Sequence, residues 1–277
     1  MAAGLPTACV VGSGSWGTAF AGLMASQAAE VRLWCRSAEV ASAVNATRRN
    51  PRHLTSYELP RNVIATSDAA AALCAMEAVV LALPSTHLRD VCRTLAPHVA
   101  PDVPVLVLTK GMEPGTHQLM LDVAAAELGH AERMAVLSGP NHAEEICLGQ
   151  VSAAVLACGS PEVGERLRGL VTAPSFRVYA SDDVIGVEVC GAMKNVVAIA
   201  CGIAAGLGAG DNTQAVLMTR GIAEIGRVSD ALGGSPLTPM GLAGMGDLVA
   251  TCTSEHSRNR TFGEAFVAGE GLAAYEA

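Results

Sequence analysis

The most restrictive feature of the chain is Ala8-Cys9-Val10-Val11 followed at once by Gly12-Ser13-Gly14-Ser15-Trp16-Gly17. An apolar run that breaks into Gly-x-Gly-x-x-Gly and resumes as an apolar helical stretch, Trp16 to Ala28, predicts a buried strand, a tight turn and a helix. The glycines have separate tasks there. One permits the sharp turn, the next leaves room for a pyrophosphate, and the third lets the helix approach the strand. The N–H groups of the helix N-terminus then face the anion. An unliganded strand-to-helix turn would look similar. The flanking strand and helix supply the context that favours a dinucleotide, so Gly12, Gly14 and Gly17 are assigned to one.

Further apolar runs at Val31 to Cys35, Ala78 to Leu83, Val103 to Leu108 and Met134 to Leu137 read as strands. Ser152 to Cys158 and Arg177 to Tyr179 are weaker candidates, and helical patterns occupy Leu88 to Leu95 and His117 to Leu128. This alternation predicts a Rossmann-like α/β fold, a doubly wound, mainly parallel sheet covered on both faces. Beyond Ala180 the pattern becomes long glycine-punctuated helices, Val184 to Leu207 and Thr213 to Leu232, with no convincing strand. Ser181-Asp182-Asp183 suits the start of the first. The expected division is a dinucleotide-binding domain at 1–180 and an all-helical substrate domain at 181–277.

Composition narrows the partners. The chain is 51% hydrophobic and 3% aromatic, with a mean hydropathy of +0.37, which raises the question of a membrane. The uncharged start, Met1 to Ala29, is interrupted by Pro6 and the glycines and lacks a basic leader region. The uncharged stretch Val196 to Gly210 is shorter than the roughly 20 residues needed to span a bilayer. No membrane insertion is expected. A net charge of −8 without a basic block disfavours nucleic acid. Nine scattered cysteines with no Cys-x-x-Cys pair, and histidines without ligand spacing, predict no metal site and a reducing cytoplasmic setting.

Several residues are candidates for chemistry. Arg36 ends the second predicted strand, where an acidic residue would bind the ribose of NAD; an arginine there suits a 2′-phosphate and favours NADP, with NAD still possible. Pro84-Ser85-Thr86-His87, Thr109-Lys110-Gly111 and Ser138-Gly139-Pro140-Asn141 each follow a strand, at the sheet edge where such folds bind ligands. Among them Lys110 could meet a phosphate. Lys194 lies in Gly191-Ala192-Met193-Lys194-Asn195 without an acidic helical neighbour, so burial would depress its pKa and make it a general acid/base. A lysine reaching out to water is the plainer alternative. Asp247 follows a glycine-rich turn, and Ser257-Arg258-Asn259-Arg260 offers donors for phosphate and hydroxyl groups.

Taken together, these blocks resemble the NAD(P)-dependent glycerol-3-phosphate dehydrogenases of bacteria. The resemblance is carried by GSGSWGTA at 12–19, LTKGME at 108–113, SGPNHAEE at 138–145 and GAMKNVVAIACGIAAGLGAGDN at 191–212. It continues with LMTRGIAEI at 217–225, GLAGMGDL at 241–248 and CTSEHSRNR at 252–260. It implies interconversion of dihydroxyacetone phosphate and glycerol 3-phosphate by hydride transfer with NAD(P)H, for phospholipid synthesis, by a cytoplasmic homodimer. Lys194 would be the proton donor and acceptor. Lys110, Gly139, Asn141, Asp247, Ser257, Arg258 and Asn259 would contact the small phosphorylated substrate. Ser15, Trp16, Arg36, Lys110, Ala143 and Arg258 would join the glycines at the cofactor.

The sequence departs from the family pattern at His142, and the family typically continues beyond 277 with helices that include an acidic cofactor contact. The helical domain is accordingly expected to be short at its C-terminus, with neither Glu270 nor Glu276 assigned to that contact. Two rival readings stay open at this level. One is a related two-domain dehydrogenase acting on another keto substrate; the other is a catalytically impaired, nucleotide-binding regulator.

Overall fold

The computed structural model describes residues 5–271 and 275; Glu276 lies outside them. Two compact units are present. The first contains the chain to Leu137 and then Asn141–Val184; the second contains Ser138–Pro140 and the chain from Ile185 onward.

Among the described residues up to Ser181, fifteen strands and α-helices follow in order: β1 (Thr7–Val11), α1 (Ser15–Met24), β2 (Glu30–Trp34), α2 (Ala38–Thr47), β3 (Val63–Thr66), α3 (Ala69–Leu73), β4 (Ala78–Leu81), α4 (Leu88–Leu95), β5 (Val105–Val107), α5 (Met120–Leu128), β6 (Met134–Ser138), α6 (Ala143–Cys147), β7 (Ser152–Cys158), α7 (Pro161–Val171) and β8 (Phe176–Ser181). The strands form one sheet in the order β3-β2-β1-β4-β5-β6-β7-β8. Val10 on β1 pairs in parallel with Leu33 on β2 and with Val80 on β4. Every residue of β4 is buried, as a strand covered on both faces requires. With few aromatics, the core is built from valine, leucine and alanine around Phe20, Met24 and Phe176.

The sheet order reverses at β1 and β4. Connections that leave these strands on opposite faces open a crevice beyond their carboxyl ends. Here Gly12 N donates to Trp34 O at 3.1 Å and Ala82 N donates to Val11 O at 2.9 Å, so the crevice floor is tied to the sheet.

Some elements differ from expectation. β3 has no counterpart in the sequence reading, because only Val63 and Ala65 of its four residues face inward while Ile64 is exposed. The helix expected from His117 begins at Met120, since Met112 and Leu119 form an antiparallel bridge first. β5 is shorter than the apolar run around it.

The second unit is helical: α8 (Val184–Gly206), α9 (Asp211–Ala231), α10 (Asp247–Thr253) and α11 (Arg258–Val267). By length and composition α8 is long and apolar enough to cross a membrane. Its glycines serve close helix contacts. A methyl group on Gly202 would meet the Arg260 carbonyl, and one on Gly263 would meet that of Ile199, so α8 and α11 touch backbone to backbone. A methyl on Gly221 of α9 would likewise press on Val197.

The loop after β5 is held by charge. Arg89 on α4 grips Glu113 with two hydrogen bonds of 2.7 Å and reaches Glu127 on α5 at 2.8 Å. The guanidinium hydrogen bonds lower the Glu113 carboxyl from 4.5 to about 2. Its contribution is therefore complete above the ordinary carboxylate range and disappears as pH falls toward 2. Arg89→Leu is expected to lower Tm at neutral pH, with a gap from the wild type that narrows by about pH 3. Thermal melts across that range check this; a pH-independent gap refutes it.

Candidate active site

In the first unit, a cleft of about 450 Å³ opens at the strand-order reversal. Gly12 and Gly14 line its floor, Trp34 and Arg36 come from the end of β2, and Pro84 and His87 follow β4. Gly12 adopts φ +109°, and a methyl group on it would strike the Ala82 carbonyl. A methyl on Gly17 would strike the Gly12 carbonyl, which explains how α1 begins so close to the turn. Gly14 is different. A methyl there meets no protein atom and points into open space. No side chain caps α1 at Gly14, whereas Ser37, Asp68 and Ser160 cap α2, α3 and α7. Uncapped N–H groups beside open space, with Arg36 exposed on the same cleft, fit an anionic dinucleotide.

A residue distant in the chain braces this turn. Asn50, fully buried, donates through Nδ2 to Ser13 O at 2.8 Å and to Thr18 Oγ1 at 2.9 Å. Its Oδ1 accepts from the Arg52 and His53 amides at 3.0 and 3.2 Å. A lone asparagine before a proline reads as an ordinary turn residue, so no local signal marked it.

The second unit holds the lysine. Lys194, on α8, is buried, and its Nζ lies 2.5 Å from Asp247 Oδ1 and 2.9 Å from Thr251 Oγ1. Thr251 donates its own proton to the Asp247 main-chain carbonyl at 2.6 Å, so its lone pairs are left to face the ammonium. Ser138 donates to Asp247 Oδ2 at 3.3 Å. This corrects the picture of an unpartnered lysine. The acidic partner comes from 53 residues away, beyond helical spacing, and it offsets the desolvation of the ammonium. Asp247 itself opens α10 directly after a π-helical turn, Leu242–Gly246. Gly244 is needed in that turn because a methyl there would collide with the Pro239 backbone. The acidic side chain is also well placed at a helix N-terminus.

The remaining candidates lie on other segments of the two units. Ser257 is buried and caps α11 by accepting from the Arg260 amide at 3.3 Å, so part of its task is structural. Arg258 is exposed on the first turn of that helix. Asn259 donates to Asn195 Oδ1 at 2.9 Å, one position from Lys194. Lys110 is half-buried after β5. Asn141 donates to the Ala153 carbonyl at 3.1 Å, while its buried Oδ1 has no hydrogen-bond partner among the described residues. Ala143 opens α6, and Gly139 adopts φ +158° just beyond β6.

The chain is similar to known proteins in sequence and fold. Residues 7–163 match the family model for the NAD-dependent glycerol-3-phosphate dehydrogenase N-terminus, and residues 183–277 match the one for its C-terminus. A Streptomyces griseus protein named glycerol-3-phosphate dehydrogenase, NAD(P)+, is 50% identical over 92% of this chain and 76% of its own length. A Nocardia farcinica protein of the same name is 49% identical over 96% and 81%. A crystal structure of glycerol-3-phosphate dehydrogenase from Coxiella burnetii superposes with a TM-score of 0.93 at 37% identity, covering 98% of this chain and 83% of that one. A ketopantoate reductase from Ralstonia eutropha, 18% identical with a TM-score of 0.55, shares the fold alone.

The glycine geometry separates ligand binding from folding. Gly14→Ala is expected to change stability by under about 0.5 kcal/mol while weakening dinucleotide binding. Gly17→Ala is expected to cost about 3 kcal/mol, because backbone has to move. Thermal melts and coenzyme titrations of both variants check the contrast, and equal losses of stability would refute it.

Proposed function

The chain belongs to the NAD-dependent glycerol-3-phosphate dehydrogenase family, and we propose that it interconverts dihydroxyacetone phosphate and sn-glycerol 3-phosphate with Lys194 as proton donor and acceptor. The observation that carries this reading is the buried cluster of Lys194, Asp247 and Thr251. Reduction adds a hydride and a proton across the ketone. Bound NAD(P)H supplies the hydride. The protein's part is to hold the carbonyl and to stabilise and protonate its oxygen as negative charge develops there. A cationic amine does both. Asp247 orients Lys194, and in the oxidative direction Lys194 takes the hydroxyl proton back.

We assign the cofactor to Gly12, Gly14, Ser15, Trp16 and Gly17, with Arg36 at the adenosine 2′-phosphate and hence a preference for NADP over NAD. Lys110, Ala143 and Arg258 complete that set. Substrate contacts are assigned to Lys110, Gly139, Asn141, Asp247, Ser257, Arg258 and Asn259. Arg258 suits the phosphate, since a guanidinium on the first turn of a helix adds to the anion-attracting N-terminus. The phosphate then serves as an anchor whose binding energy orients the reacting carbon. The enzyme's place is the cytoplasm, where glycerol 3-phosphate feeds phospholipid synthesis; nine cysteines, none of them in a disulfide, support a reducing compartment. Exposed apolar side chains in the second unit, Val196, Val216 and Phe266 among them, support a homodimer.

A steady-state assay with dihydroxyacetone phosphate and each reduced coenzyme tests the activity. Activity on another keto substrate but none on this one would overturn it. Lys194→Ala is expected to reduce kcat by at least about 10³-fold while coenzyme binding persists. It also strands Asp247 without a counter-charge, at a cost of about 3 kcal/mol. Adding Asp247→Asn is expected to restore most of that stability and none of the turnover. Substantial turnover in Lys194→Ala removes the catalytic assignment.

A further inference from the structure

Asn50 is wholly buried, yet three of its hydrogen-bond partners, Ser13, Arg52 and His53, line the dinucleotide cleft. Its Nδ2 holds the glycine-rich turn at Ser13 O and the first helix at Thr18 Oγ1, across 37 and 32 residues of sequence. Its Oδ1 receives the amides of Arg52 and His53. One side chain therefore fixes the distance between the pyrophosphate turn and the segment that carries Arg52. Arg52 lines the same cleft as Arg36. Among the described residues its guanidinium has only a long contact with Glu39, 3.8 Å between two exposed side chains, which leaves it well placed to take a stronger anionic partner.

Resting on the dinucleotide reading above, we propose that Asn50 is a positioning residue that sets coenzyme specificity. It holds Arg52 as a second cation, beside Arg36, for the adenosine 2′-phosphate. A phosphate monoester carries close to two negative charges near neutral pH, and a pair of guanidiniums matches it better than one. NADH lacks that group. The contribution of Arg52 thus falls on NADPH alone, whereas Asn50 also acts on the turn that both coenzymes use. A residue that merely stabilised the fold would have no reason to change the ratio of the two affinities.

Coenzyme binding can be read without catalysis, because Trp34 lines the cleft and its fluorescence reports occupancy. Wild type, Arg52→Ala, Asn50→Ala and the double variant are titrated with NADPH, NADH and 2′,5′-ADP. Arg52→Ala is expected to weaken NADPH and 2′,5′-ADP about tenfold and NADH less than twofold. Asn50→Ala is expected to weaken both coenzymes and to lose the same discrimination. The double variant should discriminate no less than Asn50→Ala, the non-additivity expected when one residue acts through the other. An unchanged NADPH/NADH ratio in Arg52→Ala overturns the proposal, and that variant alters only an exposed side chain, so its folding is not at risk. Additive losses in the double variant overturn the positioning role. A wild-type chain that binds neither coenzyme defeats the dinucleotide reading instead, so the two failures are distinguishable.

Discussion

A positive charge taken out of water needs a negative one beside it, and in the helical unit that requirement joins Lys194 to Asp247. Around the pair there is little bulk to do the same work. The large side chains of the main core lie in the sheet unit, while the long helices meet through glycines, backbone against backbone at Gly202 and Gly263. Two of these helices carry the polar cluster to its place. α8 brings the ammonium, and α10 brings the carboxylate at its first residue and the hydroxyl one turn later. The π-helical turn before Asp247 decides where that first residue falls, and Gly244 makes the turn possible. Chemistry and packing rest here on the same few atoms.

The sheet unit solves a different problem, that of bringing an anion to a mostly apolar scaffold. It uses little side-chain charge at the turn itself. The strand-order reversal opens the crevice, the uncapped start of α1 offers N–H groups, and missing side chains at the glycines make the room. Charged groups stand further out, at Arg36 and Arg52 on the cleft, while Arg89 secures the loop that follows β5. A neutral turn with cations at its rim suits a ligand whose pyrophosphate is common to related coenzymes and whose distinguishing group lies at one end.

Much of this was legible from local pattern. β1, its glycines and α1 form one contiguous signal, and the long helices after residue 180 stand out by the loss of strand-like runs. What stayed hidden depended on partners distant in sequence. Lys194 looked unpartnered because Asp247 is 53 residues away. Arg89 meets Glu113 and Glu127 across 24 and 38 residues. Asn50 resembled a turn residue because its two donors act 32 and 37 residues back. β3 escaped notice for a related reason, since a four-residue strand with one exposed isoleucine has too little periodicity of its own. Ser257 was assigned to ligand binding, whereas the structure also makes it the cap of α11.

The three glycines of the first turn are not equivalent, and that bears on how such a turn would change over generations. Gly12 and Gly17 are locked by the protein's own backbone, so a lineage that no longer needed the coenzyme would still have to retain them in order to fold. No protein atom opposes a side chain on Gly14. It would be the first of the three to drift once selection for the ligand relaxed. Retention of the outer pair therefore records ancestry, while the middle position alone distinguishes a descendant that still binds from one that only keeps the shape.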